Sequence, residues 1–251
     1  LLYSIQGDFN PDQTECPPAM RQFIVSSFGE EYIRPIQMVL RYMVDLTLPP
    51  LKIVTLVGPS RSGKGVFERL IEKFYPPSCV SAITSSIGVI NSPEKVRQHV
   101  SGKKLVAFPD IQGLQKDVTT LYSLVDGGLI SDRALFESET DAAPFNGRVI
   151  ICSSQAPQFE NAGSGAAGRA LTLQTLAEVK DKDPDLNSKL ESEIGSIVSW
   201  ALQADWQEVK DMLYHPDDTF LEAQFDVERR MDVVRQFLDS SCEPCGGDQM
   251  P

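Results

Sequence analysis

The segment from Gly58 to Gly65 constrains the fold more than any other part of the chain. It reads Gly-Pro-Ser-Arg-Ser-Gly-Lys-Gly, follows the apolar and β-branched run Lys52–Val57, and precedes apolar residues at helical spacing up to Phe74. A glycine-rich turn between a strand and a helix lets backbone N–H groups and the positive helix end face a phosphate group. The segment therefore predicts a phosphate-binding loop, the alternative being an ordinary glycine-rich turn.

The loop predicts specific contacts with a nucleotide. Lys64 would reach the β- and γ-phosphates, and the loop amides would surround them. The position after the lysine is usually Ser or Thr, whose hydroxyl binds Mg²⁺, but in this chain it is Gly65. The expected nucleotide-binding residues of the loop and the first helical turn are Gly58, Ser60, Ser62, Gly63, Lys64, Gly65 and Val66.

Strand-like and helix-like segments alternate along the rest of the chain. Apolar runs predict further strands at Leu105–Phe108, Arg148–Cys152 and Ala170–Leu173. Helical spacing of apolar residues and a turn-flanked stretch predict helices within Gln22–Leu46 and at Val66–Phe74, Val118–Val125, Leu186–Ala204 and Gln207–Tyr214, and a hairpin at Arg133–Phe145. Strands that alternate with helices indicate an α/β fold, with a parallel sheet covered by helices.

This order divides the chain into three predicted regions. Residues 1–50 form an N-terminal helical region, residues 51–204 the core with the phosphate loop, and residues 205–251 C-terminal helices and a linker. The chain does not begin with Met, so we expect it to be part of a longer protein. Cys242 and Cys245 in the linker have half of a zinc-site spacing with no second pair nearby, and we expect no metal there.

Polar residues after the predicted strands are candidates for the chemistry of nucleotide hydrolysis. Asp110 follows Leu-Val-Ala-Phe-Pro, where a carboxylate can hold Mg²⁺, although Pro-Asp is also a common turn pair. Ser154 follows the next strand, where a polar residue can touch the γ-phosphate. Arg169 is either an arginine finger across a subunit boundary or an ordinary surface arginine. Since Ile111 follows Asp110, the usual second carboxylate is missing from its expected place.

Composition limits the classes of protein that the chain can belong to. The apolar runs are far too short to span a bilayer, and the N-terminus lacks the features of a signal peptide. The five scattered cysteines suit a reducing cytosol better than a disulfide framework. The net charge of −12 argues against a generally basic surface, so contact with nucleic acid would require a local basic stripe.

The order and spacing of these segments resemble the phage/plasmid primase-helicase family, a branch of the superfamily 3 helicases within the AAA+ ATPases. The matching segments are Leu56–Phe67, Lys103–Asp110, Leu124–Arg133, Val149–Phe159, Gly165–Leu173, Lys189–Leu202 and Met231–Cys242. The resemblance implies a RecA-like/AAA+ parallel sheet with helices on both faces, and ATP and Mg²⁺ as cofactors. It also implies that Lys64 binds the β/γ-phosphates and that Asp110 binds the metal. By the same resemblance Ser154 occupies the sensor position, and Arg169 is the arginine finger that acts in the site of a neighbouring subunit.

The same resemblance implies a role in DNA replication. The expected assembly is a homo-oligomeric ring, a hexamer, that hydrolyses ATP at subunit interfaces and translocates on single-stranded DNA in its pore. We expect it in the cytoplasm of a prokaryotic cell, in a phage or plasmid context, with a linked or separate primase and a winged-helix domain after Cys242. The chain departs from the family at Ser154, which is typically Asn, at Gly168, which is often a second arginine, and in its acidic predicted hairpin.

Two other functions stay open at this point. One is a P-loop NTPase of another kind, such as a kinase or a nucleotide switch, which needs neither a ring nor an arginine finger. The other is a degenerate AAA+ module that binds nucleotide and assembles with partners without unwinding DNA. Gly65, Ser154 and the acidic hairpin motivate this second alternative.

Overall fold

The computed structural model describes residues 8–84, 92–111, 114–115, 119–127, 129–130, 143–154, 158–159, 168–176, 178–179 and 183–223. Within these ranges the helices are α1 Pro18–Ser27, α2 Ile33–Val44, α3 Lys64–Lys73, α4 Pro93–Val100, α5 Thr119–Val125, α6 Leu186–Ser192, α7 Ile194–Leu202 and α8 Trp206–Tyr214. The strands are β1 Ile53–Val57, β2 Val80–Ala82, β3 Leu105–Phe108, β4 Leu114–Gln115, β5 Leu129–Ile130, β6 Ala143–Pro144, β7 Arg148–Ser153, β8 Gln158–Phe159 and β9 Ala170–Gln174.

The main sheet of the described residues contains five parallel strands in the order β2-β3-β7-β1-β9. The central strands β1, β3 and β7 are buried along their whole length, as expected for a parallel sheet with both faces covered. The α/β fold predicted from the alternating pattern is therefore confirmed, and it is consistent with a RecA-like arrangement. All carboxyl ends of these strands meet at one edge of the sheet.

The side chains of each strand alternate between two hydrophobic cores, because successive residues of a strand point to opposite faces. Val54 and Leu56 of β1 belong to the larger core, which also contains buried residues of α1, α2, α3, α7 and α8. Ile53 of β1 lies in the smaller core with Val106 and Val149, packed against α4 and α5. The helices of the N-terminal region and the sheet thus share one core, while the predicted division into three regions stays a prediction.

Arg148 fastens α2 to the amino end of the sheet. Its side chain is 1% exposed and its guanidinium lies 4.3 Å from the ring centre of Tyr42. Its Nε donates to the Tyr42 carbonyl at 2.6 Å, and its Nη2 donates to the carbonyls of Asp45 at 2.7 Å and Leu48 at 2.8 Å. Carbonyls at and beyond the end of α2, which have no partner within the helix, therefore receive donors from the strand β7.

The helix predicted over Leu186–Ala204 is two helices, and that prediction is wrong in this detail. The break lies at Glu193, which ends α6 and precedes α7. The Glu193 carboxylate accepts hydrogen bonds from the N–H groups of Ala19 at 3.0 Å and Met20 at 3.2 Å, so it caps the start of α1. Helix α1 has Pro17 at its N-cap and no cap from its own side chains, and a residue distant in sequence supplies one.

The remaining elements match the sequence pattern less completely. Helix α4 and the short strand β2 were not predicted, because β2 has three residues and α4 has only two apolar residues on its buried face, Val96 and Val100. The hairpin prediction at Arg133–Phe145 falls mostly outside the described residues, although β5 and β6 on either side of that gap pair antiparallel. The segments Met231–Cys242 and Cys245 also lie outside them. No helix in the described ranges is both long and apolar enough to cross a membrane.

Candidate functional site

A cavity of about 590 Å³ opens at the carboxyl edge of the sheet. Its walls come from the Gly58–Gly65 loop, the first turn of α3, the ends of β3 and β7, helix α1 and the start of α6. The volume lies within the range of about 300–1,000 Å³ that is usual for sites of small molecules and cofactors. This is the edge at which ligands bind in open α/β sheets, because loops and helix N-termini converge there.

The glycines of the loop are required by packing as well as by backbone geometry. Gly63 has φ 103°, a left-handed conformation, and a Cβ atom there would lie 2.4 Å from the Ser27 Oγ of α1. A Cβ atom on Gly58 would lie 1.9 Å from the Thr175 Oγ1 that follows β9. Two neighbouring segments therefore press against the loop from outside and hold it in a wrapped shape.

Ser62 stabilises the loop rather than facing the cavity. Its hydroxyl is fully buried, lies 2.8 Å from the Pro59 carbonyl to which it donates, and is 2.6 Å from the Thr175 hydroxyl. Neither Ser62 nor Gly58 lines the cavity, whereas the other loop residues of the prediction do: Ser60, Gly63, Lys64, Gly65 and Val66.

Lys64 is a buried cation whose present partners can be exchanged. Its side chain is 9% exposed, and its Nζ donates to the carbonyls of Gly58 and Pro59, both at 2.6 Å. Burial lowers the pKa of Lys64, and the negative charge of Asp110 opposes part of that shift. A phosphate oxygen would be a stronger acceptor than either carbonyl, because its negative charge adds a Coulomb attraction to the lysine cation.

Asp110 and Ser154 come together at the same edge. Each follows a strand, β3 or β7, and each is exposed and lines the cavity. The two strand ends are tied to each other, because Ser153 Oγ donates to the Ile111 carbonyl at 2.9 Å and the Ile111 N–H donates to the Cys152 carbonyl at 3.0 Å. The position of both candidates is thus fixed by the backbone of adjacent parallel strands.

Arg169 lies at the opposite edge of the sheet. It directly precedes β9, whose first residue pairs with Ile53 at the start of β1, so the length of a strand, roughly 16 Å, separates it from the loop. Its Nη2 contacts the Asp126 carboxylate at 2.6 Å, and its guanidinium lies 4.8 Å from the ring centre of Tyr122. The structure does not bring Arg169 into the cavity of its own chain.

Glu68 is a buried carboxylate next to the site, outside the cavity lining, and the sequence reasoning missed it. It lies on α3 one turn after Lys64, is only 5% exposed, and its Oε1 has no hydrogen-bond partner among the described residues. Burial raises the pKa of its carboxyl group to about 7, with a further contribution from the charge of Glu72, while the adjacent Cys152 lowers it. The spacing of four residues from Lys64 places both on one helix face and is the signal that could have revealed it.

Helix α1 also contributes to the site in a way that its sequence does not indicate. Phe23, Ser26 and Ser27 line the cavity, and the buried Ser27 Oγ is a second oxygen beside the loop without a partner in the described part of the chain. Unpaired buried oxygens are uncommon in folded proteins and cost free energy unless a ligand, an ion or water satisfies them.

The donor set fits a metal only in combination with a nucleotide. No group of three or more His, Cys, Asp or Glu residues in the described ranges is arranged to hold a metal ion. Mg²⁺ commonly binds through one or two carboxylates together with substrate phosphates and water. The carboxylate of Asp110, which lines the cavity beside the phosphate loop, matches that pattern.

Comparisons with known proteins identify the fold. No family model and no curated protein matches the chain. An apo structure of the C-terminal region of NrS-1 superposes with a TM-score of 0.62 at 12% identity, covering 90% of this chain and 54% of that one. A second apo structure of the same region gives a TM-score of 0.60 at 12% identity, covering 91% of this chain and 58% of that one. The chain therefore shares a fold with that region and spans little more than half its length.

Proposed function

We propose that this chain is the ATP-driven motor of a replicative DNA helicase of the superfamily 3 type, acting as a ring of identical subunits. The observation that carries the proposal is the cavity at the carboxyl edge, where Lys64 and Asp110 lie beside a wrapped glycine loop. The fold shared with the NrS-1 region and the serial order of the sequence motifs support it.

Each residue of the cavity would have a distinct part in hydrolysis. The loop amides and Lys64 would bind the β- and γ-phosphates, with Lys64 exchanging its two carbonyl partners for phosphate oxygens. Bound Mg²⁺ would neutralise charge that develops on the phosphates. Asp110 would orient the ion, and Ser154 would hold the attacking water near the γ-phosphate as the bond to the bridging oxygen breaks. Catalysis would then come mainly from positioning and charge stabilisation.

Arg169 would complete the site of a neighbouring subunit. Its distance from the cavity of its own chain is what a residue acting in trans requires, and its guanidinium lies at an end of the edge strand β9. Release from Asp126 would free the guanidinium for a phosphate, which explains why assembly and hydrolysis would be coupled. The ring would pass this change to single-stranded DNA in its pore.

The test is a subunit-mixing experiment. Lys64→Ala and Arg169→Ala should each abolish ATP hydrolysis, but only Lys64→Ala should abolish nucleotide binding. Mixing the two inactive variants should restore part of the activity, because some interfaces then combine an intact Lys64 with an intact Arg169 from the next subunit. Arg34→Ala, which removes another exposed ion-paired arginine, is the matched control and should retain full activity.

The outcomes separate the proposal from its alternatives. Recovery on mixing, together with a rate that rises with protein concentration and single-stranded DNA, supports the ring motor. Turnover that is independent of concentration and insensitive to Arg169→Ala indicates a P-loop NTPase of another kind. Nucleotide binding without turnover, unaffected by DNA, indicates an assembly module, which the missing hydroxyl at Gly65 favours as the second candidate.

A further inference from the structure

The guanidinium group of Arg69 lies beside the position where the phosphate loop lacks its usual hydroxyl. A Cβ atom on Gly65 would lie 3.2 Å from the Nη1 atom of Arg69, 3.9 Å from its Cζ and 4.0 Å from its Nη2. Both residues line the cavity at the carboxyl edge. The arginine therefore stands next to the place that a serine or threonine hydroxyl, and the Mg²⁺ bound to it, take in most phosphate loops.

Helix geometry explains this position of the guanidinium. Arg69 follows Gly65 by four residues on α3, so the two lie on the same face of the helix. Long helical side chains lean toward the helix N-terminus and cover the preceding turn. For Arg69 that turn is the first of α3, where free backbone N–H groups and the positive helix end attract anions. A side chain at position 65 would occupy part of this space, so glycine allows the guanidinium to approach the loop.

The carboxylates nearest to Arg69 in sequence do not hold its guanidinium. Burial raises the pKa of Glu72, three residues further along α3, and the charge of Arg69 opposes part of that shift. Among the described residues, however, Arg69 forms no ion pair with Glu72 or with Glu68, whereas Lys73 at the end of the same helix pairs with Glu191 at 3.1 Å. The exposed side chain of Arg69 can therefore turn its donors to a ligand in the cavity.

The charges that line the cavity make Arg69 the side chain best placed to add to Lys64. The cationic lining residues are Arg61, Lys64 and Arg69. Arg61 is largely exposed and lies 3.7 Å from the Glu178 carboxylate, which holds it toward solvent. A guanidinium suits phosphate better than a point charge does, because its planar fork can donate two parallel hydrogen bonds. In a chain with a net charge of −12, such local cations are needed to attract a nucleotide.

We propose that Arg69 takes the place of the missing hydroxyl and its ion by donating hydrogen bonds directly to the β-phosphate group of a bound nucleotide. This inference rests on the proposed function, because it requires that the cavity binds a nucleotide. The side chain supplies a positive charge that Mg²⁺ on a loop hydroxyl usually supplies. Nucleotide binding then depends little on Mg²⁺, while hydrolysis still uses the ion that Asp110 would orient.

The experiment measures the Kd of ADP by calorimetry, in EDTA and in excess Mg²⁺. For the wild type the two values should agree within about threefold, less than the usual coupling between two ligands. Arg69→Met should weaken binding in EDTA by about tenfold or more, because a charge-assisted hydrogen bond to phosphate is lost. Lys73→Met removes the same charge from the same helix outside the cavity lining, and should leave both Kd values unchanged.

The double variant Gly65→Ser/Arg69→Met tests whether the guanidinium and the hydroxyl are alternatives. A Cβ atom on Gly65 meets only the Arg69 side chain within 4 Å, so a serine fits once the arginine is removed. The double variant should bind ADP more tightly than Arg69→Met in Mg²⁺, because the usual hydroxyl is restored. In EDTA it should bind as weakly as Arg69→Met, because the hydroxyl acts only through the ion.

Three results would overturn the inference while nucleotide binding stands. The first is an Arg69→Met variant that folds, as judged by its thermal transition, and keeps the wild-type Kd in EDTA. The second is an equal loss of affinity in Lys73→Met, which would indicate a general effect of helix charge. The third is a wild type whose affinity rises about tenfold or more with Mg²⁺, an ordinary coupling. If the wild type binds no ADP in either condition, the proposed function fails and the inference fails with it.

Discussion

Buried ionisable groups lie at both the amino edge and the carboxyl edge of the parallel sheet, but their hydrogen-bond partners differ. At the amino edge, Arg148 donates to the backbone carbonyls of Tyr42, Asp45 and Leu48. At the same edge, Lys52 donates to the carbonyl of Gly168. At the carboxyl edge, Lys64 bonds to the carbonyls of its own loop, and Glu68 has a buried oxygen without a partner among the residues that the structure describes. The sharpest contrast is therefore between Arg148, whose guanidinium is paired by the fold, and Glu68, whose buried carboxyl oxygen lacks a partner in the described part of the chain.

The largest expected effect on stability comes from removing the Arg148 guanidinium at the amino edge. Arg148→Met should destabilise the protein by about 3–5 kcal/mol, because buried carbonyls of Tyr42, Asp45 and Leu48 lose their donor at once. This corresponds to a fall in Tm of roughly 10 °C or more for a chain of this size. Arg169→Met is the control, since its partner Asp126 is exposed, and should change stability by about 1 kcal/mol or less. Equal effects of the two substitutions in urea unfolding would contradict the contrast between the edges.

The next largest expected effect on stability comes from replacing the buried Glu68 carboxyl group by an uncharged amide. The pKa of Glu68 is raised from 4.5 to about 7 in the folded protein, so the folded state keeps its proton while the unfolded state loses it between these pH values. The free energy of unfolding therefore includes the full contribution of protonated Glu68 below pH 4.5. It falls by about 3 kcal/mol as the pH rises through 7. Without ligands, Glu68→Gln should equal the wild type at low pH and be more stable above neutrality.

The check on this prediction is urea unfolding of both proteins across the pH range. The difference in the free energy of unfolding between the two proteins should grow between pH 5 and 7.5 and then level off. The reason is that the wild type has the Glu68 carboxyl group, which titrates, whereas the glutamine of the variant does not. A difference that does not change with pH would show that the Glu68 carboxyl group has an ordinary pKa. Glu68 would then no longer differ from Arg148 as a buried group that the fold leaves unpaired.

The smallest effect concerns the shape of the loop. Gly63→Ala should cost about 1–3 kcal/mol, because alanine is strained at φ 103° and its Cβ atom would meet Ser27. Gly65→Ala should be neutral or slightly stabilising, by up to about 1 kcal/mol, because it is helical and has open space apart from Arg69. Opposite signs in thermal unfolding are expected, and a similar loss in both would contradict the contrast between the strained Gly63 and the helical Gly65.

The sequence predicted the strands of the cavity well because their signals are local. The apolar run before Gly58 and the segment Leu105–Phe108 appear as β1 and β3 within a residue of the expected bounds. Since carboxyl ends of parallel strands meet at one edge, Asp110 and Ser154 could be expected beside the loop, and both line the cavity. Their roles in catalysis, with that of Arg169, stay predictions.

Only the tertiary structure decided which ionisable groups are satisfied and which are not. The cap that Glu193 provides for α1, the enclosure of Arg148 by the end of α2, and the wall that α1 builds beside the loop join segments far apart in the chain. Helical periodicity places Glu68 on the face of Lys64, but it says nothing about the Cys152 and Asp110 that lie around it. The physical reason is that chain order and local spacing fix secondary structure and strand ends, whereas burial and hydrogen-bond completeness depend on every segment that packs against a residue.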